Sequence, residues 1–234
     1  MEASSRNLPS AEAAGTDRPN GPRSAKGAET RARLLSAAKA IFEENGFLDA
    51  RISDIAEWAG LSHGSFYHYF DSKEEVFREV AEVVEDQLSA PLGRVVLDRT
   101  SDATPQERIH EAIRLHLESY QQEARIMGVI EQVSRYDSHV RAARFKRHRY
   151  YGEQVEESIR RLQRHGLVDP NLDPVIAAAA LGSMTTRFPE LWLVEESLDC
   201  SFDQAVDQLA RIFVNALGFR DSPERAAVRG RRDQ

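Results

Sequence analysis

Two short apolar-striped segments meet at a glycine between Ile52 and Lys73, in the string ISDIAEWAGLSHGSFYHYFDSK. No other stretch restricts the fold as much. Ile55, Ala56 and Ala59 recur at helical spacing and share one face. Gly60 ends that helix, because glycine enters the left-handed backbone region without a Cβ clash. Leu61 can turn inward, and Ser62 can cap the next helix by accepting a backbone N–H. The second helix, His63 to Phe70, carries Phe66, Tyr67, Tyr69 and Phe70 among His63, Ser65 and His68. A small residue at the crossing, a turn glycine and a second helix with polar groups outside is the pattern of a helix–turn–helix, whose outer face meets base edges.

The remaining chain reads as further helices. Leu34, Leu35, Ala38, Ile41 and Phe42 mark a first helix from about Ala28 to Asn45, stopped by Gly46 with Phe47 packing back on it. After Lys73, Val76, Phe77, Val80, Val84 and Leu88 line a longer helix, capped by Asp71 or Ser72. Pro91 ends or kinks it, and Leu97 to Thr104 reads as a loop. Thr104-Pro105-Gln106-Glu107 combines a cap, a proline at the first helical position and a capping-box glutamate. The helix it starts carries Ile109, Ile113, His116, Leu117 and Tyr120, and a separate shorter helix is expected from about Arg125 to Tyr136. Asp137 caps a long helix that Gly166 stops. Asp173-Pro174 starts another, which Pro189 should interrupt, and Ser201 to Gln204 begins the last, closed by Gly218. With no alternating pattern, the expected fold class is all-α with about nine helices.

Composition excludes several classes. No apolar run reaches the roughly 20 residues of a membrane span, and the N-terminus has no signal-peptide core, so a cytoplasmic location is expected. One cysteine, Cys200, leaves no disulfide framework or cysteine zinc cage. No nucleophile elbow, phosphate-binding glycine loop or paired-histidine motif appears, and His63 and His68, five apart, do not share a helix face. An enzyme, a cofactor and a metal are therefore not expected. The formal net charge of −7 opposes indiscriminate nucleic-acid binding without excluding a local DNA face.

The residues AAKAIFEENGF and DIAEWAGLSHGSFYHYFDSKEEVF, within Thr30 to Phe77, closely resemble the N-terminal DNA-binding domain of the TetR family of transcriptional regulators. The order and spacing of glycines, aromatics, lysine and acid from Gly60 to Glu74 carry the resemblance. It implies a disordered tail over 1–25, a helix–turn–helix DNA-binding domain over 26–72, a helical ligand-binding and dimerisation domain over 73–219, and a loose charged tail over 220–234. It also implies a homodimer formed through the last two helices that reads a palindromic operator in double-stranded DNA. Ala177 to Ala180, Leu181, Met184, Leu209, Phe213 and Leu217 are the interface candidates. Repression relieved by a small-molecule effector is the family's usual mode. The alternative is a DNA-bound regulator whose C-terminal domain docks a protein partner.

Carried over by position, Arg51, Ser62, His63, Gly64, Ser65, Tyr67, His68 and Lys73 fall at the DNA-contacting positions. Tyr67 and His68 resemble the phosphate-contacting pair, and Lys73 the lysine that grips phosphate. His63 stands where Lys or Arg is common, and Arg51 replaces a frequent capping Thr or Ser, leaving Ser53 as the alternative cap. Phe66 and Phe70 read as core, since duplex DNA offers no free base faces. Arg6, Arg18 and Arg23 in the tail can reach phosphates. From Arg23 to Lys73, seven basic residues (Arg23, Lys26, Arg31, Arg33, Lys39, Arg51, Lys73) oppose seven acids (Glu29, Glu43, Glu44, Asp49, Asp54, Glu57, Asp71), so the DNA face must place its charge selectively.

In the second domain, Arg144 and Arg147 fall on the apolar stripe of Val140, Tyr151, Val155, Ile159 and Leu162. Two guanidiniums there need anionic partners. These are acids of neighbouring helices, such as Glu79, Glu82, Glu118 or Glu131, or an anionic effector such as an acyl-CoA or fatty acid. His116, Tyr120, Met127, Tyr151, Phe188 and Trp192 would give a largely apolar pocket with a few polar handles.

Overall fold

In the computed structural model, residues 25–97 and 102–219 are described. The two expected tails, with Arg6, Arg18 and Arg23, lie outside them, apart from Ala25, which is helical. Most of the expected 97–104 loop also lies outside. The described residues are all-α. They form α1 (Ala25–Asp49), α2 (Ile52–Trp58), α3 (His63–Phe66), α4 (Lys73–Leu97), α5 (Pro105–Ser134), α6 (Ser138–Arg164), α7 (Pro174–Pro189), a π-helical turn (Glu190–Val194) and α8 (Phe202–Leu217). None of these helices is long and apolar enough to cross a membrane.

Local chemistry sets the boundaries. Gly46, at φ 71°, turns the chain out of α1 so that Phe47 folds back and stacks at 5.8 Å on Phe42 and edge-on at 4.9 Å to Phe77. Thr104 and Ser201 head complete capping boxes, and Asp137 and Asp173 cap α6 and α7. The separate helix expected from Arg125 does not exist. Gln121 to Ala124 are good helix formers with no breaker among them, so α5 runs unbroken for 30 residues, about 45 Å. Pro189 interrupts α7 as expected, and the chain widens there into the π-turn, the register change a missing N–H favours.

α5 is the spine. Its C-terminal half, with Ile126, Ile130 and Val133, packs with α1 to α4 in one buried cluster. Its N-terminal half, with Ile109, Ile113 and Leu117, packs with α7, α8 and Ile159 of α6 in a second. His116 and Tyr120 lie where the two halves meet. Of the interface candidates, Ala177, Ala178, Leu181, Leu209 and Leu217 are buried inside this second cluster and cannot meet another chain. Ala179 and Ala180 are exposed.

Candidate functional site: a DNA-reading face and an acid-lined cavity

The α2–α3 unit is built as its sequence predicts, with one change. Gly60 takes φ 67°, and the Ser62 hydroxyl accepts the Ser65 N–H at 3.2 Å. The second helix, expected to reach Phe70, is α-helical only to Phe66. Tyr67 to Tyr69 form a turn, which the Phe70 N–H closes on the Phe66 carbonyl at 3.1 Å. Phe66 and Phe70 are buried, and the Arg31 guanidinium lies 4.8 Å over the Phe70 ring. Outside, Ser62, His63, Gly64, Tyr67 and His68 are exposed. The Tyr67 ring, 48% exposed, stands edge-on to His63 at 5.4 Å. Ser65 is half-buried, its hydroxyl 2.7 Å from that of Ser62.

Arg51 occupies the N-cap of α2 without a side-chain cap bond. Ser53 does not replace it, because its hydroxyl donates to Asp54 at 2.9 Å. Lys73 is held inward: its Nζ donates to the carbonyls of Leu48 (3.0 Å) and Ala50 (2.9 Å) and lies 4.8 Å over the Phe47 ring. One of its three N–H donors is left for phosphate. Other basic residues are used internally. Arg31 pairs with Glu79, Arg33 bonds the Ala59 carbonyl, and Lys39 meets Glu123 at 2.7 Å. Among the described residues of this region, Lys26 and Arg51 have no acidic partner, so the face carries little charge.

A cavity of about 700 Å³ lies between α4, α5, α6 and α7. Five of the eight predicted ligand residues line it: His116, Tyr120, Met127, Arg144 and Tyr151. The other three lie elsewhere. Phe188 and Trp192 pack toward α8, with Trp192 6.1 Å from the Phe202 ring and its Nε1 donating to the Cys200 carbonyl at 3.2 Å. Arg147 lines a separate gap of about 190 Å³ between α4 and α6, where it meets Asp86 at 2.8 Å and the Glu82 carbonyl at 3.0 Å.

Arg144 has acidic partners from three elements. Its Nε is 2.8 Å from Glu85, its Nη1 bonds Glu131 and, at 3.2 Å, the Ser134 hydroxyl, and its Nη2 is 3.9 Å from Glu190. Of the two options open in the sequence, internal pairing is the one realised. The named acids were only partly right: Glu131 takes part, whereas Glu79 pairs with Arg31 and Glu118 with Arg114. Glu85 and Glu190 escaped the sequence reading. Glu85 was visible in principle, since it sits on the buried stripe of Ala81, Val84 and Leu88, where an acid is as conspicuous as Arg144.

Burial pushes the Glu85 and Glu190 carboxyls above the usual carboxylate range despite their arginines. Glu131 goes the other way: burial opposes its ionisation, but the Arg144 hydrogen bond and charge outweigh it. His116 bridges α4 and α7, its Nδ1 3.2 Å from the Leu88 carbonyl and its Nε2 3.0 Å from that of Thr185. Burial holds it below the ordinary histidine range.

Comparison with known proteins follows the same division. Residues 34–80 match the family described as "Bacterial regulatory proteins, tetR family", and residues 102–192 match the "Tetracyclin repressor-like, C-terminal domain". The HTH-type transcriptional regulator UidR of Escherichia coli is 29% identical over 163 residues, 67% of this chain and 78% of that protein. The regulator YdgC of Bacillus subtilis is 51% identical over 55 residues, 24% of this chain and 28% of its own length. Among solved structures, the complex of SmeT with triclosan superposes with a TM-score of 0.69 at 22% identity, over 82% of this chain and 93% of that one.

Proposed function

The chain belongs to the TetR family and is a transcriptional regulator with a DNA-binding helix–turn–helix, and from this premise we propose that it is a cytoplasmic homodimeric repressor, released from a palindromic operator by a small, largely apolar effector. The observation that carries the reading is the cavity of about 700 Å³, within the size range of small-molecule sites. α4 reaches from Lys73, beside the DNA-reading face, to Glu85 and Leu88 in the cavity wall. A protein-docking domain would need no such cavity, so the sensor is favoured over the docking alternative.

Dimerisation is supported by what α7 and α8 leave exposed. Ile176 is 70% exposed, and Val175 and Ile212 are also open. Ile176 and Ala180 share one face of α7, and Ile212 and Ala216 one face of α8. An isologous pairing of these faces would place two copies of α3 on one palindrome. DNA contacts are assigned to Arg51, Ser62, His63, Gly64, Tyr67 and His68, with the third Lys73 donor on phosphate and Ser65 serving the turn.

Three ties join the cavity wall α6 to α4: Arg78 to the capping Asp137 at 2.9 Å, Arg144 to Glu85, and Arg147 to Asp86. An effector that prefers one position of α6 therefore biases α4, and a differential affinity of a few kcal/mol suffices to shift the population. Selection of bound sequences from a random DNA pool tests the reader, and a palindrome is the expected result. Gel shifts on that operator, titrated with apolar metabolites, test the sensor. A non-palindromic site would refute the dimeric reader, and an operator complex unmoved by any ligand would refute the release.

A further inference from the structure

The polar end of the cavity holds more acid than base. Glu85, Glu131 and Glu190 converge on Arg144, and Glu85, Glu190 and Arg144 are only 4, 6 and 9% exposed. Supporting cations stand behind them: Arg147 is 3.8 Å from Glu85, Arg135 3.8 Å from Glu131 and Arg187 2.9 Å from Glu190. Two of these are shared outward, Arg147 with Asp86 and Arg187 with Glu195. Four guanidiniums thus face five carboxyls. The Glu131 and Glu190 carboxyls also hydrogen-bond each other, which two carboxyl groups do only by sharing a proton. That proton supplies the missing positive charge.

The other titratable groups on the wall do not supply it. Burial holds His116 and His148 below the ordinary histidine range, and Arg144 and Arg147 add to this at His148. Arg141 stands exposed to solvent. A second observation points to a ligand at the same place. Tyr120 lines the cavity, is 3% exposed, and its hydroxyl makes no hydrogen bond to any described residue. Burial and then the Glu190 charge suppress its ionisation, so it stays a hydrogen-bond donor with an electron-rich ring face, the kind of surface on which cations settle.

Resting on the reading of this cavity as the effector site, we propose that the effector is an amphiphilic cation, an ammonium or amidinium on an apolar body, seated between Glu131, Glu190 and the Tyr120 ring. The ligand's charge replaces the shared proton, which leaves to the solvent. The cation also competes with Arg144 for two of its three acids, loosening α6 from α5 and the π-turn. An anion would have to take Arg144 from three carboxyls, so the anionic effector open in the sequence is disfavoured.

Matched probes test this on the full chain: decyltrimethylammonium, decanol and decanoate, titrated calorimetrically below their micellar concentrations. The ammonium should bind about tenfold or more tighter than decanol, with decanoate weakest. Repeating the titration in buffers of different ionisation enthalpy should show proton release for the ammonium alone. Glu131→Gln and Glu190→Gln should each weaken the ammonium by about tenfold and leave decanol unchanged, which also reports that the cavity is intact. Decanoate binding as tightly as the ammonium, or an ammonium indifferent to both variants, overturns the charge assignment while leaving a ligand-controlled regulator. If none of the three binds, the effector cavity fails and the proposal with it.

Discussion

Replacing Arg144 with methionine keeps the aliphatic stem and removes one positive charge from a group that already needs a shared proton. The cluster must then take up a second proton or hold a buried, unpaired carboxylate. Protonating a carboxyl of ordinary pKa near 4.3 at pH 7 costs about 1.4 kcal/mol per unit, or about 3.7 kcal/mol. That agrees with the ~3–5 kcal/mol lost when one partner of a buried pair is removed. At pH 5 the same step costs only about 1 kcal/mol. The sign follows from linkage. The folded variant binds one more proton than its unfolded chain, because the folded pKa is raised, so its stability deficit shrinks as the pH falls and is greatest above the folded pKa. For a chain of this size, 1 kcal/mol moves Tm by roughly 2–4 °C, so the loss should be about 10 °C at pH 7 and about 3 °C at pH 5. Thermal unfolding followed by circular dichroism, at one fixed protein concentration from pH 5 to 8, measures it. Adding Glu85→Gln should restore most of the loss at pH 7, since it removes a buried charge without changing shape. A deficit flat across pH, or one that grows toward pH 5, would refute the charge count.

Other substitutions separate the roles of the DNA-reading face and the dimer. His63→Lys should tighten operator binding at low salt and steepen the slope of log K against log salt by about one, with Tm unchanged; an unchanged slope would remove His63 from the phosphate contacts. Lys73→Met strips donors from the Leu48 and Ala50 carbonyls, so it should cost about 1–3 kcal/mol of stability as well as operator affinity; lost affinity at full stability would make Lys73 a DNA contact alone. Ile176→Glu puts a charge on the most open apolar position of α7; sedimentation should show a folded monomer, and a persisting dimer would move the interface elsewhere.

The parts legible in the sequence are those fixed by local chemistry. The capping boxes at Thr104 and Ser201, the stops at Gly46, Gly60 and Gly218, and the burial of Phe66 and Phe70 each follow from a few adjacent residues, and each stands in the fold as read. The failures are long-range. Whether Phe188 and Trp192 face a cavity or α8 depends on where the π-turn points, and a periodicity of 3.6 residues carries no information past Pro189. The partners of Arg144 come from residues 85, 131 and 190, which no spacing rule links. The early stop of α3 has a similar origin: Phe66 and Phe70 can both reach the core only if the chain tightens between them, and a regular helix through Phe70 was the simpler expectation.

α4 explains why a buried charge cluster and a DNA-reading face belong to one mechanism. Its Lys73 end holds the Leu48–Ala50 link, Glu79 binds Arg31 of α1, and Glu85 meets the cavity. Glu79 lies six residues from each of the other two, about 9 Å along the axis in either direction. If the Arg31–Glu79 pair acts as the pivot, the arms are equal, and an ångström of motion at Glu85 returns about an ångström at Lys73. The two recognition elements must meet grooves about 34 Å apart, so shifts of this size in both copies act on their separation. The tie between Arg144 and Glu85 is then the contact through which the ligand's charge reaches the operator.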